Sequence, residues 1–380
     1  MSRHGPFSFS RWWAMVLKEF LQLKRDRITF GMVVGIPLVQ LALFGYAINT
    51  DPKHMPTVVL AADHSEFTRS FLAALEQSDY FRIVGEAPDE ATARAALARG
   101  EAVFVLNVPA HFTRDLLRGE RPALLVEADA TDPVATGTAL GAVEQIARSV
   151  ARKDAVGATG YLAPDEAPFA VHVHRLYNPE GSSRNNIVPG LMGVILTLMM
   201  VLMTGLAMTR ERERGTMENL LAMPVRPLEV MAGKIVPYVA IGLLQVTLIL
   251  LVAVFVFRVP FLGSLAALYL AALLFVAANL TVGIMLSSLA KNQLQAMQMT
   301  VFYFMPNLLL SGFMFPFQGM PGWAQAIGNV LPLTYFNRLV RAIFLKGTPG
   351  WDLWPNVWPL MLFTAVVMAI AVKFYRKTLD

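Results

Sequence analysis

The chain has no cysteine, which excludes disulfides, thiolate metal sites and thiol chemistry while leaving the redox compartment open. Charge is also scarce: 16% of the 380 residues are Asp, Glu, Lys or Arg, against 55% apolar, far from the balance of a soluble domain. The scarcity is concentrated in a few places. Residues 28–50, 185–209, 235–257, 259–290 and 353–372 contain no Asp, Glu, Lys, Arg or His. Proton-driven carriers keep titratable side chains inside their spans, so this lack argues against one, and less strongly against a sodium carrier, which can use carbonyls and hydroxyls. These runs hold no Ser-His-Asp set, carboxylate pair or metal motif, which argues against an intramembrane enzyme. There is no P-loop: Gly233-Lys234 is followed by Ile235 and lacks a glycine at the upstream spacing. A chain built this way has no motor of its own.

What is present follows the same division. Residues 51–183 carry nineteen Asp/Glu against twelve Lys/Arg, and the rest carries eight against twenty. The basic surplus therefore flanks the apolar runs, as expected of a membrane protein, and gives no sign of nucleic-acid binding. Residues 1–27 place Trp12, Trp13, Val16, Leu17, Phe20 and Leu21 on one helical face, an amphipathic helix lying in the cytoplasmic interface. A secretory signal is the competing reading; the apolar run that follows is too long and starts too late for one. At about 1.5 Å per residue, 28–50 reaches across a bilayer core. Its Gly31 and Gly35 form a GxxxG contact suited to a second helix.

Residues 51–184 read as a separate α/β domain. TVVLAAD, FRIVG, AVFVLNV and ALLVEAD are short buried strands. They alternate with helical patterns at 66–77, 89–99, 110–118 and 134–156. Six basic residues precede the first span and five follow the second, which puts this domain outside the cytoplasm. His172 and His174 share a strand face with nothing nearby to complete a metal set.

The forty-six uncharged residues between Lys291 and Arg338 are long enough for two crossings and are interrupted by Pro316, Gly319, Pro321 and Gly322. The basic residues beyond them do not decide the topology. The Pro/Gly cluster favours a re-entrant external segment at 316–346, with Tyr335, Phe336, Leu339, Val340 and Ile343 on an interfacial helix and the arginines snorkelling. The expected architecture is a polytopic α-helical membrane protein with six transmembrane helices, both termini cytoplasmic, and an inserted extracytoplasmic α/β domain. Residues 185–380 hold five of the six helices. On the helix after Lys291, Gln298, Phe302, Tyr303 and Asn307 are candidates for a substrate path, with ordinary helix packing as the alternative for each. Asn279 and Gln245 read as interhelical hydrogen bonds.

The stretch 209–234, TRERERGTMENLLAMPVRPLEVMAGK, carries nine charges in twenty-six residues. Arg210, Glu211 and Arg214 belong to an alternating run that Gly215 and Thr216 break, and Met217, Leu220 and Leu221 then share a helix face. Glu218 lies four residues after Arg214, and Pro224 and Pro227 end the pattern. This is either a docking element for a soluble partner or a plain basic loop.

Resemblance separates the two. ERERGTMENLLAMPVRPLEVMAGK is similar to the first cytoplasmic loop of type-2 ABC exporter permeases of the drug-efflux branch. MVLKEFLQLKRDR, the large loop and LPLTYFNRLVRAIFLKG resemble the same family. The resemblance implies a coupling helix in this loop, seated on a separate ABC ATPase subunit that binds ATP and Mg. It falls on Glu211, Arg214, Gly215, Thr216 and Glu218, and less firmly on Lys234. It also implies a second permease, identical or paralogous, and export of amphipathic drugs, lipids or similar compounds across a bacterial inner membrane. The external domain would gate the exit or meet a periplasmic adaptor. A non-transporting sensor with a periplasmic receptor domain is the alternative from another class.

Overall fold

The computed structural model describes residues 53–154, 169–213 and 227–377. The amphipathic segment, the first expected span with Gly31 and Gly35, and Arg214, Gly215, Thr216, Met217, Glu218 and Leu221 lie outside them.

The first region alternates strand and helix as its sequence pattern requires: β1 (Met55–Ala61), α1 (Glu66–Gln77), β2 (Phe81–Glu86), α2 (Glu90–Arg99), β3 (Phe104–Val108), α3 (Phe112–Leu117), β4 (Ala123–Asp129), α4 (Pro133–Asp154) and β5 (Ala170–Leu176). The sheet order is β2-β1-β3-β4-β5, parallel throughout except for the antiparallel β3–β4 pair. The strand ALLVEAD pairs along its whole length with β5, the strand that carries His172 and His174. Local chemistry sets the helix ends. Ser65 accepts the N–H of Thr68 at the start of α1, and Asp89 accepts that of Thr92 at 2.7 Å at the start of α2. Gly100 closes α2 in the left-handed conformation at φ 73°. Phe71, Phe112 and Phe169 are fully buried and meet edge to face, which fixes the helices over the sheet.

The second region is a helix bundle: α5 (Ser183–Glu213), α6 (Pro227–Leu251), α7 (Leu265–Leu289), α8 (Gln293–Leu310), α9 (Gly322–Gly328), α10 (Pro332–Arg341) and α11 (Trp354–Lys377). Among the described residues, four helices are long and apolar enough to cross a membrane: Ser183–Arg210, Pro237–Val256, Leu265–Leu289 and Gly350–Ala371. More than half of the apolar window of α5 and α7 is buried inside the chain (56% each), against 22% for α6 and 17% for α11. The centre is therefore the α5–α7 pair. Their backbones touch: a Cβ on Gly283 would stand 2.8 Å from the Cβ of Thr204 and 2.9 Å from the carbonyl oxygen of Val201. Small residues at such a crossing give helices their van der Waals contact where lipid supplies no hydrophobic drive. Thr197 and Thr204 satisfy their hydroxyls on the carbonyls four residues back, at 2.8 and 2.7 Å.

Three expectations are corrected here. The run 259–290 is helical only from Leu265. Val259 to Gly263 instead form a connection that packs on residues just beyond α10, where Leu262 donates its N–H to the Phe344 carbonyl at 2.9 Å; Pro260 lacks the N–H a helix interior needs. Asn279 does not bridge helices. Its amide donates to the Phe275 carbonyl of its own helix at 2.9 Å, and Gln245 Oε1 is buried without a donor. The α6–α7 bond is made by Thr247 and Tyr269, at 2.7 Å. The third correction concerns the apolar face of α10, which packs inside the protein. Phe336, Leu339, Val340 and Ile343 are all 0–1% exposed and belong to the main bundle core. The ring of Phe336 stacks on Phe275 of α7 at 4.1 Å and 5°. A Cβ on Gly193 of α5 would come within 2.9 Å of Asn337 Oδ1, so a glycine there makes room for α10. The apolar face read from periodicity is real, but protein covers it, not lipid.

Candidate functional site

The bundle has two ends, and α5 connects them. It begins seven residues after β5 and runs for thirty-one residues, about 46 Å at 1.5 Å per residue. At the end remote from the sheet, Arg210 is exposed on its last turns and Glu211 lies in the same helix. Its final residue, Glu213, crosses to α8. The Glu213 carboxylate accepts the backbone N–H of Gln293 at 2.8 Å and also the Gln293 side-chain amide. These bonds hold the Glu213 carboxyl below its ordinary range. Gln293 is the first residue of α8, so the carboxylate also sits at the positive end of a helix dipole. Asn292 and Gln295 complete that helix start: Asn292 Oδ1 accepts from the Gln295 N–H and Gln295 Oε1 from the Lys291 N–H, each at 2.9 Å. The sequence pattern singled out the acids on either side of Glu213 and missed Glu213 itself. Its partner lies eighty positions away, and no periodicity records that.

The four candidates on α8 do not converge. Gln298 and Phe302 share one side of the helix, and Phe302 is 42% exposed. Tyr303 and Asn307 face the other side. Tyr303 packs beside the buried Val201, Val282 and Val367, and Asn307 donates its amide to the Tyr303 carbonyl at 2.9 Å. Gln298 Oε1, Tyr303 Oη and Asn307 Oδ1 are all buried without a hydrogen-bond partner.

At the other end, sheet and bundle are joined by charge. α10 continues through a wider turn, Ala342–Lys346, and presents Lys346 to the α/β region. The ammonium donates to Asp129 Oδ2 at 2.6 Å and to the Leu97 carbonyl at 2.8 Å. Both side chains are almost covered, at 7% and 11% exposure. The ring of Tyr177 lies 5.1 Å from the same ammonium. Burial, and then the nearby Asp129 and Glu127, push the Tyr177 hydroxyl up to about 12. Arg338 and Arg341 were expected to snorkel. Both line a cavity of about 390 Å³ between the sheet region and the bundle.

Among the described residues, no group of three or more His, Asp or Glu is placed to hold a metal ion. His174 Nδ1 lies 3.7 Å from Glu127.

Known proteins of the same pattern supply the identity. Residues 27–373 match the family model for ABC-2 family transporter proteins. The chain is 30% identical over 374 residues to the probable multidrug ABC transporter permease YbhS of Escherichia coli, with 97% of each chain covered. It is 26% identical to the probable multidrug ABC transporter permease YbhR of the same organism, covering 97% of this chain and 99% of that one. The E. coli inner membrane transport permease YhhJ is 30% identical, with 96% of each covered. Together with four apolar helices around a glycine-packed centre, these matches over nearly the full length assign the chain to the ABC-2 transporter permease family.

Proposed function

We propose that this chain is the membrane-spanning permease subunit of an ATP-driven exporter and that a separate ABC ATPase subunit supplies the work. The observation that carries this is the course of α5. One helix runs from the sheet-side junction to the stretch 214–226, and its last described residue, Glu213, is bonded to the start of α8. A push on that stretch has a direct mechanical route into the bundle. The uncharged interiors of the described spans fit a transporter driven from outside itself.

In this reading the protein has six spans, 28–50 being the first and α8 one of the others, with both termini in the cytoplasm and the sheet region outside. The segment 316–346 is re-entrant, an arrangement supported by Lys346 and Asp129 meeting on the sheet side. Residues 209–234 dock on the ATPase through Arg210, Glu211, Arg214, Glu218, Met217 and Leu221. A second permease, identical or paralogous, completes the path and meets this one at Gly31 and Gly35. The cargo is an amphipathic drug, lipid or similar compound, in keeping with the multidrug names of YbhS and YbhR. A periplasmic adaptor is a further partner. Similarity to permeases over almost the whole chain runs against the sensor reading.

Reversing charge at Arg214 and Glu218 tests the docking role. The variant is expected to insert normally while losing copurification with the ATPase, or to lose stimulated ATP turnover in membranes. Wild-type values for both would remove these residues from the role.

A further inference from the structure

We propose that the cavity roofed by the sheet region binds the oxyanion group of an anionic amphiphile, with Arg338 and Arg341 as its ligands. The charges around it explain why. Three acids line the cavity; two are paired with a cation and the third caps a helix. Asp129 takes the ammonium of Lys346 and the Thr131 N–H. Asp132 accepts the N–H groups of Val134 and Ala135 at the start of α4, at 3.2 and 3.3 Å. Glu101 is paired with Arg99 through two bonds, at 2.8 and 3.1 Å.

Neither arginine is bonded to a carboxylate among the described residues, and the acids whose charge reaches Arg341 are Asp132 and Asp129. Arg341 donates one bond, from Nη2 to the Gly312 carbonyl at 3.1 Å, and its Nε is buried with no acceptor. Arg338 lies over the ring of Phe317 at 4.8 Å and near that of Tyr335 at 5.8 Å, and no carboxylate pairs with it among the described residues. A half-buried guanidinium with no carboxylate bonded to it leaves donors unsatisfied, and its planar fork suits phosphate or carboxylate. The two residues are three apart on α10 and therefore on one face. The lining also holds the apolar Phe317 and Ala342. Positive charge with no carboxylate bonded to it, beside apolar walls at the end of a bundle of membrane helices, selects a molecule with an anionic head and an apolar body. At about 390 Å³ the cavity falls in the range of small-ligand sites.

The site bears on the proposed export as a station on the sheet side. Its test reads binding without transport, so either reading can fail alone. The purified full chain in neutral sugar-detergent micelles is titrated with short-chain phosphatidylglycerol, with diacylglycerol of the same chains, and with inorganic phosphate. The thermal midpoint of unfolding is the readout. Phosphatidylglycerol is expected to raise the midpoint saturably and diacylglycerol to leave it unchanged. Arg338→Gln and Arg341→Gln are each expected to weaken the apparent affinity roughly tenfold, the loss of one charge-assisted bond. The double variant should show no saturable response, and Arg341→Lys should retain part of it. An equal shift with phosphate alone would identify a free oxyanion as the occupant of the same site. Equal responses to phosphatidylglycerol and diacylglycerol would overturn the proposal, as would a double variant that titrates like the wild type. If Arg341→Gln does not fold, Arg338→Gln decides: a wild-type titration curve in that variant would overturn the assignment.

Discussion

The two ends of the helix bundle are held by different means. Near the sheet, the joint is the nearly covered Lys346–Asp129 pair, reinforced by a carbonyl and an aromatic ring. At the far end, Glu213 meets Gln293 through exposed bonds that water competes for. A buried pair is expensive to break because one charge is left stranded, whereas an exposed bond can open and reclose at little cost. The sheet-side joint is therefore built to stay shut, and the remote joint to work.

The largest expected effect breaks the first joint. Lys346→Met leaves Asp129 buried without its cation, which should cost about 3–5 kcal/mol and lower the thermal midpoint of the purified chain. Adding Asp129→Asn should return most of that loss. A single variant as stable as the wild type would show that the pair does not hold the two regions together.

Next comes the rigid link between the ends. Gly283→Val forces α5 and α7 apart at Thr204 and Val201, an overpacking worth about 1–3 kcal/mol. It should loosen both ends together, seen as faster amide exchange at the ends of α5. Unchanged exchange would mean that the helix pair does not transmit strain.

The smallest effect on stability, but the one that sharpens the contrast, is at Glu213. Glu213→Gln should leave the thermal midpoint near wild type while reducing the coupling of ATP turnover to transport. Because the folded carboxyl titrates below its ordinary 4.5, the wild-type bonds persist through the neutral range and are lost only as pH falls below that value. Coupling in the wild type should thus be flat from pH 6 to 8, and a loss across that range would point to another group.

How far the sequence reveals the fold depends on where each residue's partner lies. The α/β region was legible because its information is local. The pattern 66–77 coincides with α1, and ALLVEAD coincides with β4. The position of α10 was not legible. A helix with one apolar face looks the same whether that face meets lipid or protein, and the partners that decide it, Gly193 and Phe275, come from distant segments. The environment of the α10 arginines was not legible for the same reason, since it is made in part by a region some two hundred positions earlier. Asn279 and Gln245 were polar residues in apolar helices, and composition cannot say whether such an amide reaches across or folds back on its own helix. The family, by contrast, was legible in full, because the matching stretches run along nearly the whole chain.

The central claim is that this chain moves its cargo only with work delivered from an ATPase. Sealed vesicles containing the purified chain, loaded with a fluorescent amphiphile, test it directly. A proton gradient alone should give no uphill movement, while the cognate ATPase with ATP and Mg should give it, and both charge reversals at Arg214 and Glu218 should abolish it. Uphill pumping by the lone chain under a proton gradient would contradict the account.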